Sequence, residues 1–217
     1  AMGDAKGGIV QCIGSPLPGS FYGLAEGGNG KLYALPKHSE GHVIEIDPSS
    51  GTVREIGEPI TNRFASDLGI SSRLYGDLSP ATDGCLYAAP CRAGRVLKID
   101  PKAETVQEIG PNLGGHALYV GTLTPAPNGC LYAPPLMSEG RVLEINPTTG
   151  QVALIGDKVS SLEGSFSQPC CYLSFTLAQG GCLFAVPCDA QRVLKVDPWS
   201  RIVETFGEPI QPGATNK

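Results

Sequence analysis

Apolar residues in this chain fall in short runs of four to six, each closed off by glycine, proline, asparagine or aspartate. No run keeps a helical period for the ten or more residues a helix needs, and runs rich in Val, Ile, Leu and Tyr between turn residues read as strands. The runs also repeat. GKLYALPKHSEGHVIEIDP begins at Gly30 and returns as GCLYAAPCRAGRVLKIDP at Gly84, GCLYAPPLMSEGRVLEINP at Gly129 and GCLFAVPCDAQRVLKVDP at Gly181, with spacings of 54, 45 and 52 residues. A segment ending in a bulky apolar residue and glycine follows each copy: GTVREIG, ETVQEIG, GQVALIG and RIVETFG. Another apolar run precedes each copy and opens at Tyr22, Tyr75, Tyr119 or Tyr172. Each unit therefore holds four strands, a to d, joined as hairpins.

The turns support this reading. Asp83-Gly84 and Asn128-Gly129, between a and b, suit tight hairpins in which both central residues take φ > 0. Asp47-Pro48, Asp100-Pro101, Asn146-Pro147 and Asp197-Pro198, between c and d, suit turns in which proline presets φ and the preceding side chain bonds nearby backbone.

Four antiparallel strands in about 50 residues describe a propeller blade. The Leu-Tyr-Ala, Arg-Val-Leu-Lys-Ile-Asp-Pro and Val-x-x-Ile-Gly segments resemble the repeats of NHL, YVTN and lactonase-type β-propellers across residues 8–210. The expected fold is all-β, one propeller domain over 1–217. It has four four-stranded antiparallel blades near 20–57, 73–110, 118–156 and 171–207. GIVQCIG at 8–14 is a surplus N-terminal outer strand. Three arrangements satisfy that count: a four-blade ring with a spare edge strand, half of an eight-blade ring completed by a second copy, or a segment of a longer repeat array. An uncovered strand edge invites pairing with another chain, so association through the terminal strands is expected.

Composition narrows the function. The chain has 217 residues, 29 Gly, 19 Pro and a net charge of −5. A mildly acidic surface argues against nucleic acid and anionic membranes. No apolar stretch is long enough for a membrane helix, the leading AMGDAKGG has no signal-peptide core, and nothing identifies a compartment. Neither a nucleophile elbow, a zinc-protease helix nor a dinucleotide loop occurs, so no catalytic residue, metal or cofactor is expected.

Loop diversity locates the site. The d–a loops (from SPLPGS to EPITNRFASDLGISS and DKVSSLEGSFSQP) and the b–c loops (KHSEGH, CRAGR, LMSEGR, CDAQR) vary on one face, while the a–b and c–d turns are stereotyped. Two repeated features lie near that face. Tyr22, Tyr75, Tyr119 and Tyr172 either ring the channel mouth or pack between blades with their hydroxyls satisfied locally. Arg95, Arg141 and Arg192, replaced by His42 in the first unit, either converge on an anion or brace the blades. His38 and His42 make KHSEGH the least repetitive polar cluster. The expected function is a binding or assembly module whose variable-loop face takes a protein or small molecule. The runner-up that the resemblance implies is a metal-dependent hydrolase or lactonase, although no ligand quartet carries over, because Asp83, Asp100 and Asp197 fall in turns on the opposite face.

Of eight cysteines, Cys85, Cys130 and Cys182 occupy one repeated position and read as small buried hydrophobes. Cys171 and Cys188 lie on the two arms of one hairpin. A four-residue a–b turn sets them opposite each other as a candidate disulfide, and a two-residue turn sets Leu173 there instead; Cys170 points to the other face.

Overall fold

In a computed structural model the residues described are 12, 14, 16–17, 19–37, 40–61, 73–114, 119–136, 140–159 and 170–210. Sixteen strands follow in chain order. The first blade holds β1 (Phe21–Glu26), β2 (Leu32–Pro36), β3 (Gly41–Asp47) and β4 (Thr52–Ile60); the second, β5 (Ser79–Pro80), β6 (Leu86–Ala88), β7 (Val96–Asp100) and β8 (Thr105–Ile109). The third holds β9 (Thr124–Pro125), β10 (Leu131–Ala133), β11 (Val142–Asn146) and β12 (Gln151–Ile155); the fourth, β13 (Thr176–Leu177), β14 (Leu183–Ala185), β15 (Val193–Asp197) and β16 (Ile202–Phe206). Each set forms its own four-stranded antiparallel sheet, with strands in sequence order, which is the architecture of a four-bladed all-β propeller.

Side chains alternate across a strand, so each blade feeds two cores. Leu86, Ala88, Leu97 and Ile99 turn back onto Tyr33, Leu35, Val43 and Ile56 of the first blade. Their neighbours Tyr87, Ala89 and Val96 turn forward onto Leu131, Ala133, Leu143 and Ile145 of the third. Tyr132, Val142 and Ile155 in turn meet Leu183, Ala185, Leu194 and Val196 of the fourth. Burying each such leucine or isoleucine is worth about 1.5–3 kcal/mol, so the inter-blade seams carry the fold. Three cores join four blades in order. Among the described residues no core joins the fourth blade to the first. Of the surplus segment 8–14, only Cys12 and Gly14 are among the described residues.

The c–d turns form as expected. The side-chain oxygen of Asp47 accepts from the Ser49 and Ser50 amides at 2.8 and 3.3 Å, and Asp100, Asn146 and Asp197 do the same in their blades. The a–b turns differ. Only glycine takes positive φ, as at Gly84 (79°) and Gly129 (80°). The Gly84 amide donates to Ala81 O and the Ala81 amide to Cys85 O, giving a three-residue loop rather than a two-residue one. The fourth blade has the same three-residue loop, in place of either length its sequence suggests. Strand a is also shorter than its apolar run. Between Tyr22 and Ala25 its register slips by one residue. Beyond β5 and β13 only the bridges Tyr75 to Pro90 and Tyr172 to Pro187 remain. A proline closes each b run and has no N–H to continue the ladder.

Candidate functional site

The repeated arginines turn out to be clamps. Arg141 Nε donates to the carbonyl of Gly156 at 2.6 Å and Arg192 to that of Gly207 at 3.1 Å. Arg95 bonds Gly110 O, and His42 Nδ1 lies 3.0 Å from Gly57 O, so Nδ1 carries the proton there. In every blade the residue opening strand c therefore holds the glycine that ends strand d, fifteen residues on. Each guanidinium is exposed and bonds within its own blade. His38 lies outside the described residues.

The tyrosines are placed by packing. Tyr75, Tyr119 and Tyr172 are buried, and Tyr22 is half-buried. Tyr119 donates to Arg141 O at 2.8 Å and Tyr172 to Arg192 O at 2.7 Å, closing strand a onto strand c of the same blade. Tyr22 reaches across to the second blade, donating to Tyr75 O at 3.0 Å and accepting from the Tyr75 amide at 3.2 Å. Burial pushes its phenol up to about 12, despite that bond and the Arg73 guanidinium 4.6 Å above the ring. Tyr75 alone donates to a carboxylate, Glu108 Oε1 at 3.0 Å; burial and that negative charge both raise its pKa.

The Tyr75–Glu108 pair marks a crevice of about 290 Å³ between the outer strands of the first two blades, lined by Glu58, Pro59, Ile60, Thr61, Tyr75, Leu97, Val106, Gln107 and Glu108. The crevice opens at the end of β4. Its rim offers the exposed Glu58, Gln107 and Glu108, and its floor is Ile60, Leu97 and Val106. β4 reaches it because the strand runs four residues past Ile56 and its end folds back, Ile60 opposite Gly41, after a register slip. Of the expected binding residues only Tyr75 lines this crevice. Glu58, Gln107 and Glu108 belong to two blades, so strand periodicity does not bring them together. The one sequence signal is the tetrapeptide Gly57-Glu58-Pro59-Ile60, which recurs as Gly207-Glu208-Pro209-Ile210.

The cysteine pairing also shifts. The Cys188 amide donates to Cys171 O at 2.9 Å, so the backbones are opposed as a four-residue turn would have them. The side chains are not: Cys171 is buried in the core between the third and fourth blades and Cys188 is exposed. The thiol within hydrogen-bonding reach of Cys188 is that of Cys170, pushed up to about 12 by burial and by that neighbour. All eight thiols are free.

A metal-dependent propeller needs several carboxylate, amide or imidazole ligands converging from different blades. Among the described residues no group of three or more His, Cys, Asp or Glu comes together. Asp83 instead bonds the Tyr87 hydroxyl, the Cys85 amide and Lys98, while Asp100 and Asp197 cap their turns. Among the described residues no helix is long and apolar enough to cross a membrane.

No family model and no curated protein matches the chain. Solved structures do. The chain is similar to virginiamycin B lyase from Staphylococcus aureus, at 17% identity and a TM-score of 0.63, over 96% of this chain and 62% of the other. It is similar to a putative 6-phosphogluconolactonase from Bacteroides uniformis, at 14% identity and a TM-score of 0.57, over 88% and 55%. Kuenenia stuttgartiensis hydrazine synthase matches at 14% identity and a TM-score of 0.55, over 94% and 54%. The likeness is one of fold, a β-propeller, and the chain spans less than two thirds of each of these three proteins.

Proposed function

We propose that this chain is a binding module that takes a small, donor-bearing ligand in the crevice between its first and second blades. The observation that carries this reading is the pairing of two exposed carboxylates, Glu58 and Glu108, with the Tyr75 phenol above an apolar floor. A shallow apolar cavity with a few convergent polar groups is the usual form of a small-molecule site. Both carboxylates accept hydrogen bonds, so an amine or a polyol with an apolar edge suits the crevice better than an anion. At about 290 Å³ it suits a compact molecule.

Thermal shift with panels of alkylamines, polyols and carboxylates tests the reading. Amines or polyols should raise Tm, and Glu58→Gln with Glu108→Gln should abolish the rise. Stabilisation by carboxylates alone, or a rise indifferent to both substitutions, overturns it. The hydrolase or lactonase reading rests on likeness of fold alone, and turnover of a lactone panel that chelator abolishes would establish it.

A further inference from the structure

Most of the exposed large hydrophobic residues among those described gather on one blade, Leu17 and Leu24 lying apart from it. Leu173, Leu177, Val186, Trp199, Ile202 and Phe206 all belong to the fourth. Two of them occupy positions that other blades bury. Val186 is 76% exposed, whereas its repeat counterparts Leu35 and Ala89 are 0% exposed and Pro134 is buried. Phe206 is 55% exposed, against 5% for Ile56 and 6% for Ile155, with Ile109 of the second blade half-buried. Phe184 and Phe206 meet edge to face with centroids 5.9 Å apart, and Val193 continues the patch. This is the forward face of a blade, in register with the faces that bury the second, third and fourth blades.

The blades alternate in a way that names what fits this face. The central charge on strand c is Glu45, Lys98, Glu144 and Lys195 in turn. A glutamate blade meets a charged turn of the next blade: Arg54, bound to Glu45, reaches Glu104 at 2.6 Å, and Glu144 meets Arg201 at 2.9 Å. The lysine blade satisfies its charge internally, Lys98 to Asp83 at 3.3 Å, and is followed by the neutral turn Thr148-Thr149-Gly150. The fourth blade is of the lysine kind, with Lys195 paired to its own Glu204 at 2.6 Å. The blade with the matching neutral turn is the first, through Ser49-Ser50-Gly51; Gly51 and Gly150 share φ near 70° where the other two blades have Glu104 and Arg201.

Each seam also has a seat. The glycine ending strand d lies so close to a valine on the next blade that an added Cβ would fall 2.6 Å from Val106 (Gly57), 2.5 Å from Val152 (Gly110) and 2.5 Å from Val203 (Gly156). Gly207, in the same place on the fourth blade, has nothing within 4 Å of that position. The corresponding valine on the first blade is Val53, and Gly14 stands against it at 2.7 Å.

We propose that the forward face of the fourth blade docks on the first blade of a second copy, with Gly207 seated against the partner's Val53 in place of Gly14. The same contact made reciprocally closes two chains head to tail into an eight-blade ring. Each of the two contacts pairs two different surfaces, and the closed pair is two-fold symmetric.

Sedimentation velocity of the full chain over a range of concentrations tests this. The expected result is a concentration-dependent species of twice the chain mass. Val186→Lys, at an exposed position, should weaken it about tenfold or more, the scale of losing one buried aliphatic side chain. Val53→Lys should do the same, and its fold is checked by its melting curve. Mixing the two variants should restore association, because one of the two contacts then pairs unaltered faces. Gly14→Ala should strengthen the dimer by loosening the segment that competes for Val53. A monomer at every concentration overturns the proposal. So does a dimer that Val53→Lys leaves intact, which would mean the patch pairs with itself.

Discussion

Gly156 lies against Val203 across the seam between the third and fourth blades, so near that a Cβ on the glycine would sit 2.5 Å from the valine Cβ. Its φ is +73°, so both the space and the backbone require glycine. Gly156→Ala is expected to destabilise the chain by about 2–4 kcal/mol, combining backbone strain with a steric clash at a packed seam. Gly150→Ala is the control: φ is similar at +70°, but nothing lies within 4 Å, so about 1 kcal/mol is lost. Urea midpoints of the two variants should differ by the clash alone.

Glu45 gives the first blade an acid limit. It is buried and receives bonds from Lys31 Nζ, Arg54 Nε and Tyr33 Oη, each at 2.8 Å. Burial alone would raise its pKa, but the Arg54, Lys31 and Tyr33 bonds outweigh it and hold the carboxyl at about 2, from an ordinary 4.5. A depressed carboxyl contributes stability that is complete above the unfolded value and is lost as pH falls through the folded one. Stability should therefore decline between about pH 4.5 and 2, by on the order of 3 kcal/mol from this group. Urea melts at pH 6, 4 and 2.5 should show the decline, and a Glu45→Gln variant should be less stable at pH 6 with a flatter pH profile.

The clamp at the start of strand c should accept either of its two natural residues. His42→Arg should leave stability within about 0.5 kcal/mol, since an arginine there reaches the same glycine carbonyl as Arg141 does. Arg141→Ala should cost about 1 kcal/mol, the net worth of one hydrogen bond and its packed stem. Thermal melts of both decide whether the repeat tolerates exchange at this position.

Mild oxidation should act on one pair of thiols. Reduced protein should titrate eight free thiols in denaturant. After treatment with a low-molecular-weight disulfide at alkaline pH, two thiols should be lost, with two equivalents of the small thiol released. Peptide mapping should then link Cys170 to Cys188. The raised pKa of Cys170 makes the reaction slow at neutral pH. A Cys171–Cys188 link would require Cys171 to leave the core in which it is buried.

The blades are written in the chain's local pattern. Period-two alternation in Leu-Tyr-Ala and Arg-Val-Leu-x-Ile assigns each residue a face, and the Asp-Pro and Asn-Pro pairs form their turns from local bonding alone. Both depend on neighbours a few residues away, which a linear reading contains. The remaining features depend on distances between strands and blades. The a–b loop of the fourth blade took three residues, and a slip between Tyr172 and Thr176 then returns Cys171 to a place opposite Cys188. The repeated Tyr119, Tyr172, Arg141 and Arg192 bond backbone carbonyls, which no motif displays, and Tyr75 bonds the Glu108 carboxylate. The crevice of Glu58, Tyr75 and Glu108 exists only where two blades lean together. The open face of the fourth blade is apolar in sequence like every other, and only the stacking order of the blades leaves it uncovered.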